Sequence, residues 1–226
     1  MIVLIPARLG SRGLKNKNIK DFHGKPLIAH TIITAKKVKK LKRVIVVTES
    51  KRIKKIAEKF GAEVPFLRPK KLATASALAI DSYLYTINKI QKTENIKIDT
   101  FMVLLPTSPL RNSNHIIQAL NKFNPNKHDS LLSVLKSDYP ITWNKMLNKK
   151  GFLKETFNKN GILKNRQNDM ASYVPNGAIY IFKFALLKKY RKYILKKTIA
   201  FIMSKQDSID IDNIEDFKLA KKYFKN

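Results

Sequence analysis

Five of the chain's 16 acidic residues, Asp207, Asp210, Asp212, Glu215 and Asp216, fall within a single short window near the C-terminus. In a strand, the two-residue period puts Asp210 and Asp212 on one face and turns Ile209 and Ile211 toward the core. Two carboxylates on one face suit a hard cation such as Mg²⁺, which prefers oxygen ligands and keeps several waters for substrate phosphates. Asp212 also has a plainer reading. With Glu215 three residues on, it can be the N-cap of a last helix in a capping box. One residue can serve both roles.

A second constellation lies near the other end of the chain. The loop Pro6-Ala7-Arg8-Leu9-Gly10-Ser11-Arg12-Gly13-Leu14-Lys15-Asn16-Lys17-Asn18 combines two glycines with four cationic side chains and a serine hydroxyl. Glycines let backbone amides approach a ligand closely, so a polyphosphate would fit here. Neither a Walker loop nor a dinucleotide fingerprint can be placed on it. The alternative is an ordinary basic surface turn in a lysine-rich protein. Two further stretches, Pro106-Thr107-Ser108-Pro109-Leu110-Arg111 and Pro175-Asn176-Gly177-Ala178, have turn chemistry and positions compatible with a ligand crevice.

These stretches need elements to hold them. Apolar runs at 2–5, 44–48, 100–105, 130–135, 178–182 and 200–203 read as strands. Helical periodicity marks the segments from Pro26 through Val38, 52–60, 76–90, 114–123 and 214–223. Strands alternating with helices of this length imply crossover units, hence an α/β fold with a mostly parallel sheet and helices on both faces. The basic loop then follows the first strand, where ligands bind in open α/β sheets. Residues 137–174 break the rhythm, being polar and marked by Gly151 and Gly161, and read as a hairpin-like excursion.

Composition narrows the chemistry. A chain of 226 residues with 44% hydrophobic content fits one globular domain, 1–226. It contains no cysteine, which excludes disulfides, thiolate zinc sites and cysteine nucleophiles. The histidines, His23, His30, His115 and His128, show no metal-ligand spacing. The N-terminal apolar run has no basic region before it and is too short for a secretory signal or a membrane span, so a cytoplasmic location is expected. The balance of 46 Lys and Arg against 16 Asp and Glu, formally +30, raises nucleic acid or an anionic membrane as partners. The lysines are spread along the whole chain, however, and solvated faces account for them better. An anionic small substrate is attracted on either reading.

Taken together, the segments IPARLGSRGLKNKNI, GKPLIAHTI, LRPKKLA, PTSPLR, the Arg166-Gln167 pair, PNGAIYI and FIMSKQDSIDID resemble the acylneuraminate cytidylyltransferases, or CMP-sialic acid synthetases. These are a branch of the sugar nucleotidyltransferases. The resemblance runs from Ile5 to Asp212. It implies a Rossmann-like α/β domain with a small dimerisation excursion, working as a homodimer on CTP with Mg²⁺ and no specific nucleic-acid or membrane partner. The reaction it implies joins CMP to the anomeric hydroxyl of a sialic-acid-like nonulosonic acid and releases pyrophosphate. Arg8, Gly10, Ser11, Lys17 and Asn18 match the segment that holds the nucleotide and its triphosphate. Arg68 matches the arginine near the cytosine and ribose. Asp210 and Asp212 match the magnesium pair, and Gln167 and Asn176 fall in motifs lining the sugar side. Arg8, Lys17, Asp210 and Asp212 are the expected catalytic set.

The chain departs from the family pattern at several points. Leu105 stands where glutamine is common, Ala75 where aspartate is common and Ala79 where serine is frequent. In the excursion, Thr142 occupies a frequent lysine position, with Lys145 nearby as a substitute. Losing polar partners around a cleft relaxes acceptor choice. A more deoxygenated relative of N-acetylneuraminate is therefore an alternative acceptor, the other reading being that neighbouring residues compensate and an ordinary sialic acid is used. Apart from these departures, the rival acceptors within the enzyme class are a pseudaminic or legionaminic acid or, more remotely, an octulosonic acid.

Overall fold

The protein is described from a computed structural model covering residues 1–10, 13–155 and 171–224. In chain order the strands are β1 (Ile2–Pro6), β2 (Asp21–Phe22), β3 (Lys25–Pro26), β4 (Arg43–Val47), β5 (Thr100–Val103), β6 (Ser130–Lys136), β7 (Lys145–Leu147), β8 (Leu153–Glu155), β9 (Tyr173–Lys183) and β10 (Thr198–Met203). The α-helices are α1 (Leu27–Lys36), α2 (Lys51–Lys59), α3 (Ala79–Glu94), α4 (Ser113–Lys122), α5 (Phe184–Tyr190) and α6 (Ile214–Tyr223).

Six strands form one sheet in the order β10-β6-β9-β5-β1-β4. β1 runs parallel to both β4 and β5, and β10 runs parallel to β6. β9 is antiparallel to both of its neighbours, β5 and β6. The sheet is therefore mostly parallel with one reversed strand, as the alternation of elements predicts. Strand period decides its two faces. Val3, Ile5, Val44 and Val46 pack with Ile28, Ile32, Ile53, Ala57, Ile116 and Ala119 of α1, α2 and α4. Their strand neighbours Ile2, Leu4, Ile45 and Val47 face the opposite way, onto Tyr83, Leu84 and Ile87 of α3 and Leu187 of α5. A smaller cluster of Phe22, Leu27, Ile211, Phe217 and Ala220 seats α6 beside this body.

The boundaries differ from the periodicity in ways that local chemistry explains. α3 starts at Ala79 and not at 76, because residues 70–73 form a separate 3₁₀ turn after Pro69 and the chain then bends through 74–77 to an extended Leu78. α5 is an additional helix, short enough that its apolar spacing merges with the preceding strand; it ends at Arg191, which takes a left-handed conformation (φ 51). β9 begins at Tyr173, so the 137–174 excursion ends inside a long strand. Its described part carries the antiparallel pair β7–β8. Residues Met146, Leu147, Phe152 and Leu153 there are all exposed.

The sheet order changes direction at β1, whose sequence-linked partner β4 lies on one side while β5 lies on the other. The carboxyl ends of β1, β4 and β5 open together at that switch point, where α/β sheets leave a crevice. Because β9 runs the opposite way, its amino-terminal half reaches the same edge.

Candidate active site

The loop after β1 is closed by its own side chains. Asn18 Nδ2 donates to the Arg8 carbonyl at 2.9 Å, across the neck of the loop. Residues Lys17–Ile19 form a single 3₁₀ turn that buries Lys17 and Asn18, while Gly10 stays exposed. From the turn, Lys17 Nζ donates to the Ile211 carbonyl and to Asp212 Oδ1, the latter at 2.9 Å. This ion pair joins the basic loop to the acidic cluster, although 194 positions separate Lys17 from Ile211. A β-carbon on Gly13 would overlap the Asp212 carbonyl oxygen, so only glycine permits this approach.

The acidic segment is not a strand. Residues 209–212 have no ladder partner; Ile211 N instead donates to the Thr107 carbonyl at 2.8 Å. The expected alternation survives through packing: Ile211 is buried and Ile209 partly so, both against the α6 cluster. The capping reading of Asp212 is corrected. The cap is Asn213, whose side chain accepts from Asp216 N at 2.8 Å, while Asp216 Oδ2 accepts from Asn213 N at 3.1 Å. Asp216 also accepts from Asp212 N at 2.9 Å, so the acid at the third helical position organises the turn and leaves the Asp212 carboxylate to face Lys17.

Asp210 and Asp212 have different surroundings. The Asp212 side chain is 80% exposed. Asp210 is largely enclosed, and its Oδ1 is buried without a hydrogen-bond partner. Burial pushes the Asp210 carboxyl above its ordinary range, as does the nearby Asp212, while a hydrogen bond with Thr107 and the charge of Lys17 oppose the shift. A buried, unpartnered carboxylate oxygen beside a second carboxylate fits a hard cation. Among the described residues no group of three or more His, Cys, Asp or Glu assembles. A cation here would therefore complete its shell with water and substrate oxygens, as Mg²⁺ commonly does.

The opposite wall is built around Arg68. Its side chain is 6% exposed, and its guanidinium pairs with Glu49 at 3.0 Å. It also donates to Ser82 Oγ at 3.2 Å, and Ser82 donates to the Leu72 carbonyl at 3.0 Å. Arg8 reaches across to the Thr74 carbonyl at 2.9 Å. The resulting cavity of about 400 Å³ is lined by Arg8, Gly13, Lys17, Asn18, Arg68 and Asp212 together with Pro106 and Thr107. Leu72, Ala73, Ala75, Ala77, Ala79 and Leu105 give it an apolar side. The departures at Ala75, Ala79 and Leu105 thus all border this cavity.

Asn176 is buried behind the cleft. Its Oδ1 accepts from Ser133 Oγ at 2.5 Å and from Ala178 N at 3.2 Å, and its Nδ2 donates to Ser208 Oγ at 2.8 Å. It ties β9 to β6 and to the segment leading into Asp210. The Pro106–Arg111 stretch divides in the same way: Pro106 and Thr107 line the cleft, whereas Ser108 and Arg111 lie beneath it. Arg111, 2% exposed, donates to the Leu105 and Ala178 carbonyls at 3.1 and 2.8 Å and to Thr31 Oγ1 at 2.8 Å. Burial pulls its guanidinium down to about 9. Gln167 and Ser11 lie outside the described residues. Glu49 and Ser82 carry no motif signal. For Glu49 the available hint is an acid placed directly after a buried strand at the edge where ligands bind.

A family profile described as cytidylyltransferase matches residues 2–225 of the chain. The chain belongs to the cytidylyltransferase family. Among curated relatives, the N-acylneuraminate cytidylyltransferase of Escherichia coli O18:K1:H7 is 35% identical over 221 residues, covering 97% of this chain and 51% of the relative. The chain therefore spans about half the length of that protein. The CMP-N,N'-diacetyllegionaminic acid synthase of Legionella pneumophila is 32% identical over 225 residues, covering 98% of this chain and 95% of the relative. Among solved structures, a CMP:2-keto-3-deoxy-manno-octonic acid synthetase complexed with CTP superposes with a TM-score of 0.71 at 16% identity. That match covers 98% of this chain and 96% of the solved one. At this identity the match establishes the fold alone. No described helix is long and apolar enough to cross a membrane.

Proposed function

We propose that this cleft joins CMP from CTP to the anomeric hydroxyl of a nonulosonic acid and releases pyrophosphate. The observation that carries the reading is the meeting of the basic loop, Arg68 and Asp212 around one cavity, with Lys17 bridging the loop to the acidic segment that also holds the buried Asp210. The names of the relatives, one acting on an N-acylneuraminate and one on a diacetyllegionaminate, support a nonulosonate acceptor.

In this reaction the acceptor oxygen forms a bond to the α-phosphorus as the bond to the β-phosphate oxygen breaks. Arg8 and Lys17 are suited to neutralise the phosphates, and rate enhancement of this type rests on positioning and charge stabilisation. Asp210 and Asp212 would hold Mg²⁺, which when bound supplies further neutralisation of phosphate charge. Arg68 faces the same cavity and serves the nucleoside end. Ala75, Ala79 and Leu105 offer no side-chain hydrogen bond, which favours an acceptor with fewer hydroxyls and a relaxed preference for N-acetylneuraminate.

The deciding experiment measures pyrophosphate release from CTP with N-acetylneuraminic, legionaminic, pseudaminic and octulosonic acids in parallel. The expected outcome is turnover of the nonulosonates, with a deoxygenated member at least as good as N-acetylneuraminate. A large preference for N-acetylneuraminate rejects the relaxed acceptor, and inactivity with all four rejects the proposal. The exposed apolar residues of the β7–β8 hairpin, together with the exposed Tyr139 and Trp143, whose rings stack on each other at 6.1 Å, support a homodimer built on this excursion. Sedimentation showing only monomer at assay concentration would count against it.

A further inference from the structure

Glu49 follows β4 and is not among the residues lining the cavity, yet through separate oxygens it holds the basic loop and one side chain of the cavity wall. Its Oε1 accepts from the Leu9 amide at 2.8 Å, inside the basic loop. Its Oε2 accepts from Arg68 Nε at 3.2 Å and from Nη2 at 3.0 Å. The Arg68 backbone is anchored beside it, with its amide donating to the Thr48 carbonyl at 2.9 Å. One carboxylate, itself 15% exposed, thus joins the loop after β1, the end of β4 and the start of the 68–82 wall.

The donor count gives this joint a consequence. A guanidinium carries five N–H groups. In Arg68 two are taken by Glu49 and one by Ser82, which leaves one N–H on each terminal nitrogen. The charge is balanced by a carboxylate at 3.0 Å, so the free N–H groups suit neutral acceptors better than phosphate. Cytosine presents two such acceptors side by side, the ring N3 and the O2 carbonyl, whereas uracil carries a hydrogen on N3 and would meet donor with donor. A site built to pair with one pattern rejects the other, because a buried polar group is then left unpaired.

We infer that Glu49 is a positioning residue for nucleobase selection: it orients Arg68 toward the cytosine edge and, through the Leu9 amide, fixes the phosphate loop to the same frame. The inference rests on the reading of this cleft as a CTP site. It assigns the selection of cytosine over uracil to a side chain that does not itself contact the nucleotide. Preorganisation of this type acts on affinity by removing the cost of ordering the donors on binding.

The test measures equilibrium binding of CTP and UTP by calorimetry with Mg²⁺ and no acceptor sugar. The proteins are wild type, Glu49→Gln, Glu49→Asp, Arg68→Lys and the Glu49→Gln/Arg68→Lys double variant. Thermal unfolding of each separates folding from binding. Glu49→Gln is expected to weaken CTP about tenfold or more while changing UTP by less than about threefold, so the CTP/UTP ratio collapses. In turnover assays the effect falls on KM for CTP, with kcat retained. Glu49→Asp keeps the charge and restores part of the ratio, and it carries the same comparison if Glu49→Gln does not fold. The double variant is no more impaired than Arg68→Lys alone, since both changes act through one guanidinium. A wild-type ratio in Glu49→Gln alongside a lost ratio in Arg68→Lys overturns the inference and leaves the nucleotide site standing. Equal weakening of CTP and UTP by Glu49→Gln shows a general structural role and also overturns it. A wild-type ratio in both variants removes the nucleotide reading of the cleft together with this inference.

Discussion

Replacing Gly13 by alanine tests whether the basic loop and the acidic segment form one site. The new β-carbon would overlap the carbonyl oxygen of Asp212, with the carbonyl carbon at 3.2 Å and Asn213 N at 4.0 Å. The obstructing atoms are backbone, so no side-chain rotation relieves the overlap. Ordinary carbon contacts lie at about 3.5–4.0 Å, so the two segments must separate on the order of 1 Å. A shift of that size costs about 1–3 kcal/mol as overpacking. In a positioned reaction it also costs about 100-fold in rate. It would stretch the 2.9 Å Lys17–Asp212 ion pair as well. The assay is pyrophosphate release at saturating CTP and acceptor, run beside thermal unfolding. Gly10→Ala serves as the comparison, because a β-carbon there meets nothing within 4 Å and folding should be unchanged. If Gly13→Ala folds and turns over at near wild-type rate, the loop and the Asp212 segment do not act on the same substrate.

Asp210→Asn and Asp212→Asn should each lose most activity in Mg²⁺ while remaining folded, checked by steady-state kinetics and circular dichroism. For Asp212→Asn the stability change should stay below about 1 kcal/mol, because the carboxylate is exposed and the amide oxygen can still accept from Lys17. Asn176→Ala removes a hydrogen-bond partner from Ser133, Ser208 and Ala178 N at once; unfolding in urea should show a loss of about 1–3 kcal/mol. His30 is 8% exposed, with Nε2 2.6 Å from the Phe22 carbonyl. Burial lowers its pKa from the ordinary 6.5, with Lys25 and His23 adding to the shift against the opposing Phe22 hydrogen bond and Asp21. Its contribution to stability is therefore complete above pH 6.5 and declines as the pH falls from 6.5 through the lower folded value, where the unfolded chain takes up the proton first. The melting temperature should fall across that acid window, and His30→Gln should flatten the fall.

The alternation of apolar runs and helical stripes was enough to place the sheet, the helices on its two faces and the basic loop after β1. Those features depend on local period and on which residues avoid water. Period also put Ile209 and Ile211 inward, although no strand forms there, since burial against Phe217 needs alternation and not a ladder. The cap at Asn213 was not legible, because Asp212, Asn213, Glu215 and Asp216 all have capping chemistry and only the backbone path selects among them. Nor did sequence separate residues that line the cleft from those that brace it. Thr107 and Arg111 share one motif, and Asn176 sits in another, yet Arg111 and Asn176 spend their hydrogen bonds on main chain and serines beneath the cavity. Glu49 bore no motif at all. Its role exists because the parallel order of β1 and β4 brings residues 9, 49 and 68 to one carboxyl edge, and such long-range convergence is a property of strand order that no local spacing encodes.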